Sequence, residues 1–491
     1  MIHSKKPVGL IILDGFGYRK DLKDNAITPK TMPFFFSLLR KYPWTTLAAS
    51  GNAVGLPEGI PGNSAVGHFT LGAGKIFEQP LTQFSRMIHD GTFFELPVIK
   101  NNFIQLAKTG KTLHIMGLIS DGGSHSKVEH TQAVITAAGR YGIKKIVIHA
   151  VLDGRDVPQK SAMEFLERIE KTVFELPAQT NAEIGTLQGR LYAMDRNENI
   201  ERLKQAYRVI TQEEPHPIQT WQNALENYYG QGFYDETIPP MQLIKDPTIK
   251  NGDGFVFVNI RADRSRELYL LLKHTSNLSF LISGIDYQND SNSLTICTTP
   301  NTTNTLNDYL EKQTIKIFSI AESEKYAHIT YFFNGGREKN RPNETRVIIQ
   351  SDNPTTFVHE PAMKAREITH ALVQALDHHD AEFYLVNYAN ADMVGHSGNL
   401  EATKKAVGVL DKQLKRLYET FVIKHQGTLY ITGDHGNAED KKNSNPAHTT
   451  SPVYFLVVSE QPINKNILTT MKTLADVKDV IIKNSFYYLG K

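Results

Sequence analysis

The sequence predicts an α/β protein with largely parallel sheets and two domains, one inserted into the other. Three observations carry that expectation. Short, continuously apolar runs alternate with helical patterns along most of the chain, which puts strands inside layers of helices. At 491 residues the chain exceeds what one hydrophobic core serves. Motifs of acidic residues and histidine lie near the two chain ends, whereas arginine motifs fill the middle.

Val8–Leu13, Lys145–Val151, Gly254–Ile260, Phe383–Tyr388, Thr428–Thr432 and Val453–Val458 read as buried strands, because apolar residues run through them without alternation. His114–Ser120 is also strand-like. Over Leu400–Lys424, Ala406, Leu410, Leu414, Leu417 and Phe421 recur at three- and four-residue spacing, the stripe of an amphipathic helix. Pro361 suits a first helical turn and predicts a helix running to about Leu376. Gln79-Pro80 and Thr298-Thr-Pro-Asn-Thr-Thr-Asn304 have hinge composition. Residues 1–78 and 302–491 are therefore expected to form one discontinuous domain, and residues 79–301 the inserted one.

Composition narrows the function. The 54 Lys and Arg residues against 52 Asp and Glu leave a net charge of +2, which gives no reason to expect nucleic acid or a membrane surface as partner. A small molecule remains. Cys297 is the only cysteine, so no intrachain disulfide is expected and a reducing cytoplasm fits. The first apolar run ends at Asp14 after about six residues, too short for a secretory signal. No run approaches the roughly 20 residues that span a bilayer.

Four segments carry metal-type ligands. Asp14 ends a strand in Leu-Asp-Gly-Phe-Gly, where ligands gather in α/β folds, although Asp-Gly is also an ordinary turn. Asp392 and His396 stand four apart, so one helical turn points both the same way. Asp434-His435 forms an adjacent pair between glycines after another strand, and His448 lies in a proline-bounded loop. Mixed oxygen and nitrogen ligation suits Mn²⁺ or Zn²⁺ better than Mg²⁺ or Ca²⁺. So many ligands suggest two ions, able to clamp the attacking and leaving oxygens of a phosphoryl group. Ser64, in Pro61-Gly-Asn-Ser-Ala-Val-Gly-His68, is placed where a loop enters a helix. Serine there can simply cap the helix. It can also be a nucleophile, since a helix N-terminus and a bound metal both favour an anion.

Asp14-Gly-Phe-Gly, Gly62-Asn-Ser-Ala-Val-Gly-His68, Asp392-Met-Val-Gly-His396, Asp434-His-Gly-Asn437 and His448-Thr-Thr together resemble the motifs of the alkaline phosphatase superfamily. More closely, the chain resembles the cofactor-independent (2,3-bisphosphoglycerate-independent) phosphoglycerate mutases over essentially its whole length. That resemblance implies an alkaline-phosphatase-like three-layer sandwich domain enclosing an α/β transferase domain. It implies phosphorylation of Ser64, one metal on Asp14, Ser64, Asp434 and His435, and another on Asp392, His396 and His448, with Mn²⁺ expected and no bisphosphoglycerate cofactor.

In the middle block His125, Arg155 and Asp156 follow strand-like runs, Arg261 and Arg264 sit at the end of Gly254–Ile260, and the segment from Gly189 carries Arg190 and Arg196. Arginine forks match carboxylate and phosphate oxygens. Simple Arg–Asp neutralisation is the competing explanation. The resemblance carries these residues over as substrate-binding, together with Lys325, which would neutralise the transferring phosphate. Asp156 is the candidate for moving the substrate's hydroxyl protons. Ala65, Ile260 and Ala262 depart from the family pattern without removing a charged group. The implied activity interconverts 3-phosphoglycerate and 2-phosphoglycerate, a glycolytic and gluconeogenic isomerase reaction, by a cytoplasmic monomer. A metal-dependent phosphohydrolase, or another phosphomutase of the superfamily, is the alternative.

Overall fold

A computed structural model of the chain describes residues 6–195, 199–212, 219–275, 277–288, 290, 292–299, 301–338, 340–352, 357–463 and 466–486. It separates into two compact units, Met1–Glu78 with Pro300–Lys491, and Gln79–Thr299.

The first unit is built on a seven-stranded sheet ordered Glu344–Ile349, Ile317–Glu322, Phe383–Tyr388, Val8–Leu13, Thr428–Gly433, Val453–Val458, Trp44–Leu47. The first five strands run parallel; Val453–Val458 runs against them, and Trp44–Leu47, antiparallel to Val453–Val458, runs with them again. Alternate residues of Val8–Leu13 enter different cores. Ile11 and Leu13 pack with helices 33–41, 365–377 and 400–417, whereas Val8, Leu10 and Ile12 pack with helices 64–73, 306–312 and 476–481. Both faces are thus covered, which is why the strand is continuously apolar. Each fully buried aliphatic side chain contributes about 1.5–3 kcal/mol. The result is the three-layer sandwich that the resemblance implied.

The second unit also has seven strands, ordered Met241–Gln242, Asn181–Gly189, Lys145–Leu152, Leu113–Leu118, Gly254–Phe257, Phe280–Ser283, Leu294–Thr295. All pairs are parallel except the two-residue strand Met241–Gln242, which is antiparallel to its neighbour. Among the described residues, no helix is long and apolar enough to cross a membrane.

Several expected bounds differ from the structure; the strand expected over His114–Ser120 is Leu113–Leu118, and larger differences have visible causes. The strand predicted over Gly254–Ile260 stops at Phe257, because the Asn259 side chain takes the ladder position and its Oδ1 accepts from Leu118 N at 2.9 Å. The helix predicted from Pro361 begins only at Ala365. Met363, at φ 42°, breaks helical backbone, and the carbonyls of Pro361 and Ala362 accept instead from Asn390 Nδ2. The stripe from Ala406 to Phe421 is buried as expected, although the α-helix ends at Leu417 and continues as a wider π turn over Tyr418–Lys424.

Candidate metal centre

Strands Ile317–Glu322, Phe383–Tyr388, Val8–Leu13 and Thr428–Gly433 are adjacent and parallel, so their C-terminal ends share one edge of the first unit's sheet. Lys325, Asp392, Asp14 and the pair Asp434-His435 follow these four ends in that order. Close approach of the loops depends on glycine. Gly15 has φ +70°, and a Cβ there would lie 2.8 Å from Asp392 Cα; a Cβ at Gly67 would lie 2.5 Å from the Asp434 carbonyl. Ser64 begins helix Ser64–Ala73 but does not cap it. Asn63 is the cap, its Oδ1 accepting from Val66 N at 3.2 Å, which frees the Ser64 hydroxyl.

That hydroxyl donates to Asp14 Oδ1 at 3.0 Å, lies 3.0 Å from His435 Nε2, and accepts from Lys325 Nζ at 2.7 Å. Two groups of potential ligands surround it, Asp14 with Asp434 and His435, and Asp392 with His396 and His448. In the second group, Gly62 O and Pro446 O each take an Nδ1–H, at 2.9 Å, from His448 and His396. Both Nε2 atoms therefore turn inward, 3.1 Å from one another and each 3.3 Å from Asp392 Oδ1. Carbonyl-fixed imidazoles aimed at a shared carboxylate are the arrangement a cation requires. In the first group, Asp434 Oδ2 is buried and lies 3.1 Å from His68 Nδ1, which donates to the Ser64 carbonyl. A buried carboxylate oxygen with only a shared imidazole N–H beside it suits an ion. The residues present fit divalent metal.

Electrostatics agree. Burial raises the pKa of Asp14, but Lys325 and His435 outweigh it and keep the carboxylate ionised. Asp392 is likewise held well below the usual range, burial being overcome by Lys325, His396 and His448. Burial lowers His435, yet Asp434 and Asp14 lift it to about 10. A field that strong draws cations, and a bound ion would displace the imidazole proton.

In the second unit His125, Arg155, Asp156, Arg190 and Arg261 all follow C-terminal ends of adjacent parallel strands. His125 is buried and its carbonyl accepts from Ile260 N at 2.7 Å. Arg190 Nη1 donates to Asp153 Oδ1 at 2.6 Å and Asp156 Oδ2 at 2.7 Å. Arg155 Nε lies 3.1 Å from Glu236 Oε1. Arg261 precedes the 3₁₀ turn Ala262–Arg264. Arg196 falls outside the described residues.

Sequence reasoning missed several supporting residues. Asp153 accepts from Ser120, Arg190 and the backbone of Arg155 and Asp156. Asn437 donates to Asp392 Oδ1 at 3.0 Å and is itself held by Lys441 and Glu439. Asn387 donates to Asp14 Oδ2 at 2.8 Å. Its signal was present, as the one side chain in Phe-Tyr-Leu-Val-Asn-Tyr whose whole functional end is an amide.

Known proteins point the same way. The family described as the metalloenzyme superfamily matches residues 6–486, and the chain is a member of that superfamily. The 2,3-bisphosphoglycerate-independent phosphoglycerate mutase of Clostridium beijerinckii is 39% identical over 498 residues, covering 98% of this chain and 96% of the relative. That of Clostridium botulinum (strain ATCC 19397 / Type A) is 39% identical over 499 residues, with 98% and 96% covered. A crystal structure of Leishmania mexicana phosphoglycerate mutase at low cobalt concentration aligns with TM-score 0.78 at 28% identity, covering 98% and 95% of the two chains. The chain belongs to the 2,3-bisphosphoglycerate-independent phosphoglycerate mutase family.

Proposed function

We propose that this chain interconverts 3-phosphoglycerate and 2-phosphoglycerate through a phosphoserine on Ser64, an isomerase step of glycolysis and gluconeogenesis. The observation that carries the reading is the position of Ser64 Oγ, at 2.7–3.0 Å from Lys325, Asp14 and His435 at the end of a buried sheet. Asp14, Ser64, Asp434 and His435 would hold one divalent ion, and Asp392, His396 and His448 a second. Bound Mn²⁺ supplies Lewis acidity to the nucleophile and to the phosphate oxygens.

Ser64 Oγ forms a bond to phosphorus as the bond from phosphorus to O3 of glycerate breaks. The 2-hydroxyl oxygen of glycerate then takes the phosphoryl group and Ser64 is restored. Protons balance: the serine proton is replaced on O3, and the proton leaving O2 returns to serine. Lys325 offsets charge on the transferring phosphoryl oxygens, where catalysis of phosphoryl transfer mainly lies. His125, Arg155, Arg190, Arg196, Arg261 and Arg264 are assigned to binding the phosphoglycerate anion, and Asp156 to its hydroxyl protons. The reading places the enzyme in the cytoplasm as a monomer acting on a small molecule, without nucleic acid, membrane or 2,3-bisphosphoglycerate.

The test is a coupled assay for 2-phosphoglycerate with Mn²⁺ and no added bisphosphoglycerate. Turnover should vanish with a chelator and in Ser64→Ala, and the native enzyme should yield a phosphorylated Ser64 peptide. Release of inorganic phosphate matching substrate loss would replace the mutase by a hydrolase.

A further inference from the structure

His68 lies one helical turn beyond Ser64, and both it and Asn387 are fully buried. They close a hydrogen-bonded ring on the nucleophile. Ser64 Oγ donates to Asp14 Oδ1 at 3.0 Å. Asp14 Oδ2 accepts from Asn387 Nδ2 at 2.8 Å. The same amide nitrogen lies 2.9 Å from His68 Nε2, and His68 Nδ1 lies 2.8 Å from the Ser64 carbonyl.

One set of proton positions satisfies the ring. The Ser64 carbonyl only accepts, so His68 carries its proton on Nδ1 and its Nε2 accepts. Asn387 then donates one amide hydrogen to His68 and the other to Asp14. Turning the amide over would face its oxygen to an imidazole lone pair and a carboxylate. Asn387 Oδ1 accordingly has no hydrogen-bond partner. With its Oδ2 fixed from behind, Asp14 must present Oδ1 to Ser64.

We infer that His68 and Asn387 are positioning residues, which aim Asp14 Oδ1 at Ser64 Oγ and hold nucleophile and carboxylate in register for a cation. This rests on the reading of Asp14 and Ser64 as metal ligands given above. Neither residue touches the reacting atoms. Their effect passes through Asp14 and, for His68, also through Asp434, whose Oδ2 lies 3.1 Å from His68 Nδ1, as outer-shell partners act on metal ligands generally.

The test titrates the full chain with Mn²⁺, followed by electron paramagnetic resonance, alongside the coupled assay. Asn387→Leu removes both donors at similar volume, and His68→Leu removes the acceptor. Each should weaken Mn²⁺ binding and lower kcat by about 10–100-fold. KM for 3-phosphoglycerate should stay within about threefold, because ground-state binding is not what the ring supplies. His68→Gln, whose amide oxygen reaches the place of Nε2, should recover most of the lost affinity. The double leucine variant should be little worse than the worse single one, since either change opens the ring. Asn387→Ser, whose single hydroxyl proton cannot serve both partners, gives the same readout if a leucine variant does not fold. Native Mn²⁺ affinity in folded Asn387→Leu or Asn387→Ser, or additive losses in the double variant, would overturn the inference. A native chain that binds Mn²⁺ but converts no phosphoglycerate, with variants that bind it more weakly, would sustain the ring while removing the proposed reaction.

Discussion

Lys325 Nζ donates to Ser64 Oγ at 2.7 Å and, at the same distance, to Asp14 Oδ1 and Asp392 Oδ2. One ammonium thus joins Ser64 to a carboxylate from each ligand group. Burial works against its charge, but Asp14, Asp392 and Asp434 outweigh that and raise its pKa. A fixed cation beside a phosphoryl acceptor offsets charge that grows in the transition state. Lys325→Ala is therefore expected to lower kcat by about 10²–10³-fold. Lys325→Arg should not restore it, because a planar fork cannot replace a point charge among three partners. Steady-state rates at saturating substrate and Mn²⁺ decide the matter, and a loss below about tenfold would speak against this role.

The two ligand groups predict separable metal binding. Elemental analysis of the native chain should return about two Mn²⁺ per molecule. His448→Ala leaves only Asp392 and His396 in its group, so about one ion should remain on Asp14, Asp434 and His435. Retention of both ions in that variant would contradict the assignment of His448.

The candidate ligands Asp14, Asp392, Asp434 and His435 stood out because they lie just beyond continuously apolar runs, and such runs in a parallel sheet must be covered on both faces, whereas His448 lies in a loop. The runs Val8–Leu13, Phe383–Tyr388 and Val453–Val458 are strands with those same bounds. Gly254–Ile260 was overread because Asn259 mimics a ladder carbonyl with its side chain, which periodicity cannot show. Asn437 and Lys441 were hidden for a related reason: their importance lies in which atom they face, and only the fold brings Asn437 to Asp392 across 45 residues. Asp153 was passed over beside Arg155 and Asp156, although it is the carboxylate on which that loop converges.

The arginines of the second unit should separate by what already holds them. Arg190 has a side chain 6% exposed and is committed to Asp153 and Asp156. Arg190→Ala takes the charged donor from both carboxylates, leaving Asp153 only Ser120 and backbone donors, and should cost about 3–5 kcal/mol of stability. Arg155 has a side chain 51% exposed, so its pairing with Glu236 contributes little and Arg155→Ala should change stability by under about 1 kcal/mol. If Arg155 binds substrate, KM for 3-phosphoglycerate should rise in that variant. Urea unfolding beside steady-state kinetics checks both expectations. Equal stability losses would show that exposure does not sort them.

The second unit should also be acid-sensitive for a reason unrelated to catalysis. His114 Nε2 lies 3.3 Å from Asp253 Oδ2, His114 Nδ1 lies 2.9 Å from His149 Nε2, and His149 Nδ1 lies 3.0 Å from Thr186 Oγ1. The chain of bonds is complete with both rings neutral: His114 donates to Asp253, His149 donates to His114, and Thr186 donates to His149. A further proton has no acceptor inside this buried stack, which Phe255 closes on one side. Burial lowers both histidines, with Asp253 opposing it at His114, and His114 adding to it at His149. The sign follows. Unfolded imidazoles take protons near pH 6.5 while the folded ones resist, so the unfolded state binds more protons and stability falls as pH drops below about 6.5. Asp253 is lowered too: burial raises it, but His114 and backbone donors from Lys250 and Thr112 bring it below its ordinary value. Its contribution is lost only at more acidic pH, below about 3.9. Each resisting histidine steepens the fall by up to about 1.4 kcal/mol per pH unit. His149→Gln, which keeps a polar group toward His114 without a basic site, should therefore unfold in urea with a shallower pH dependence between about pH 6 and 5, by up to one proton's worth. An unchanged slope would mean that acid enters the fold elsewhere, for instance at His130, which burial and Lys127 hold down at about 3.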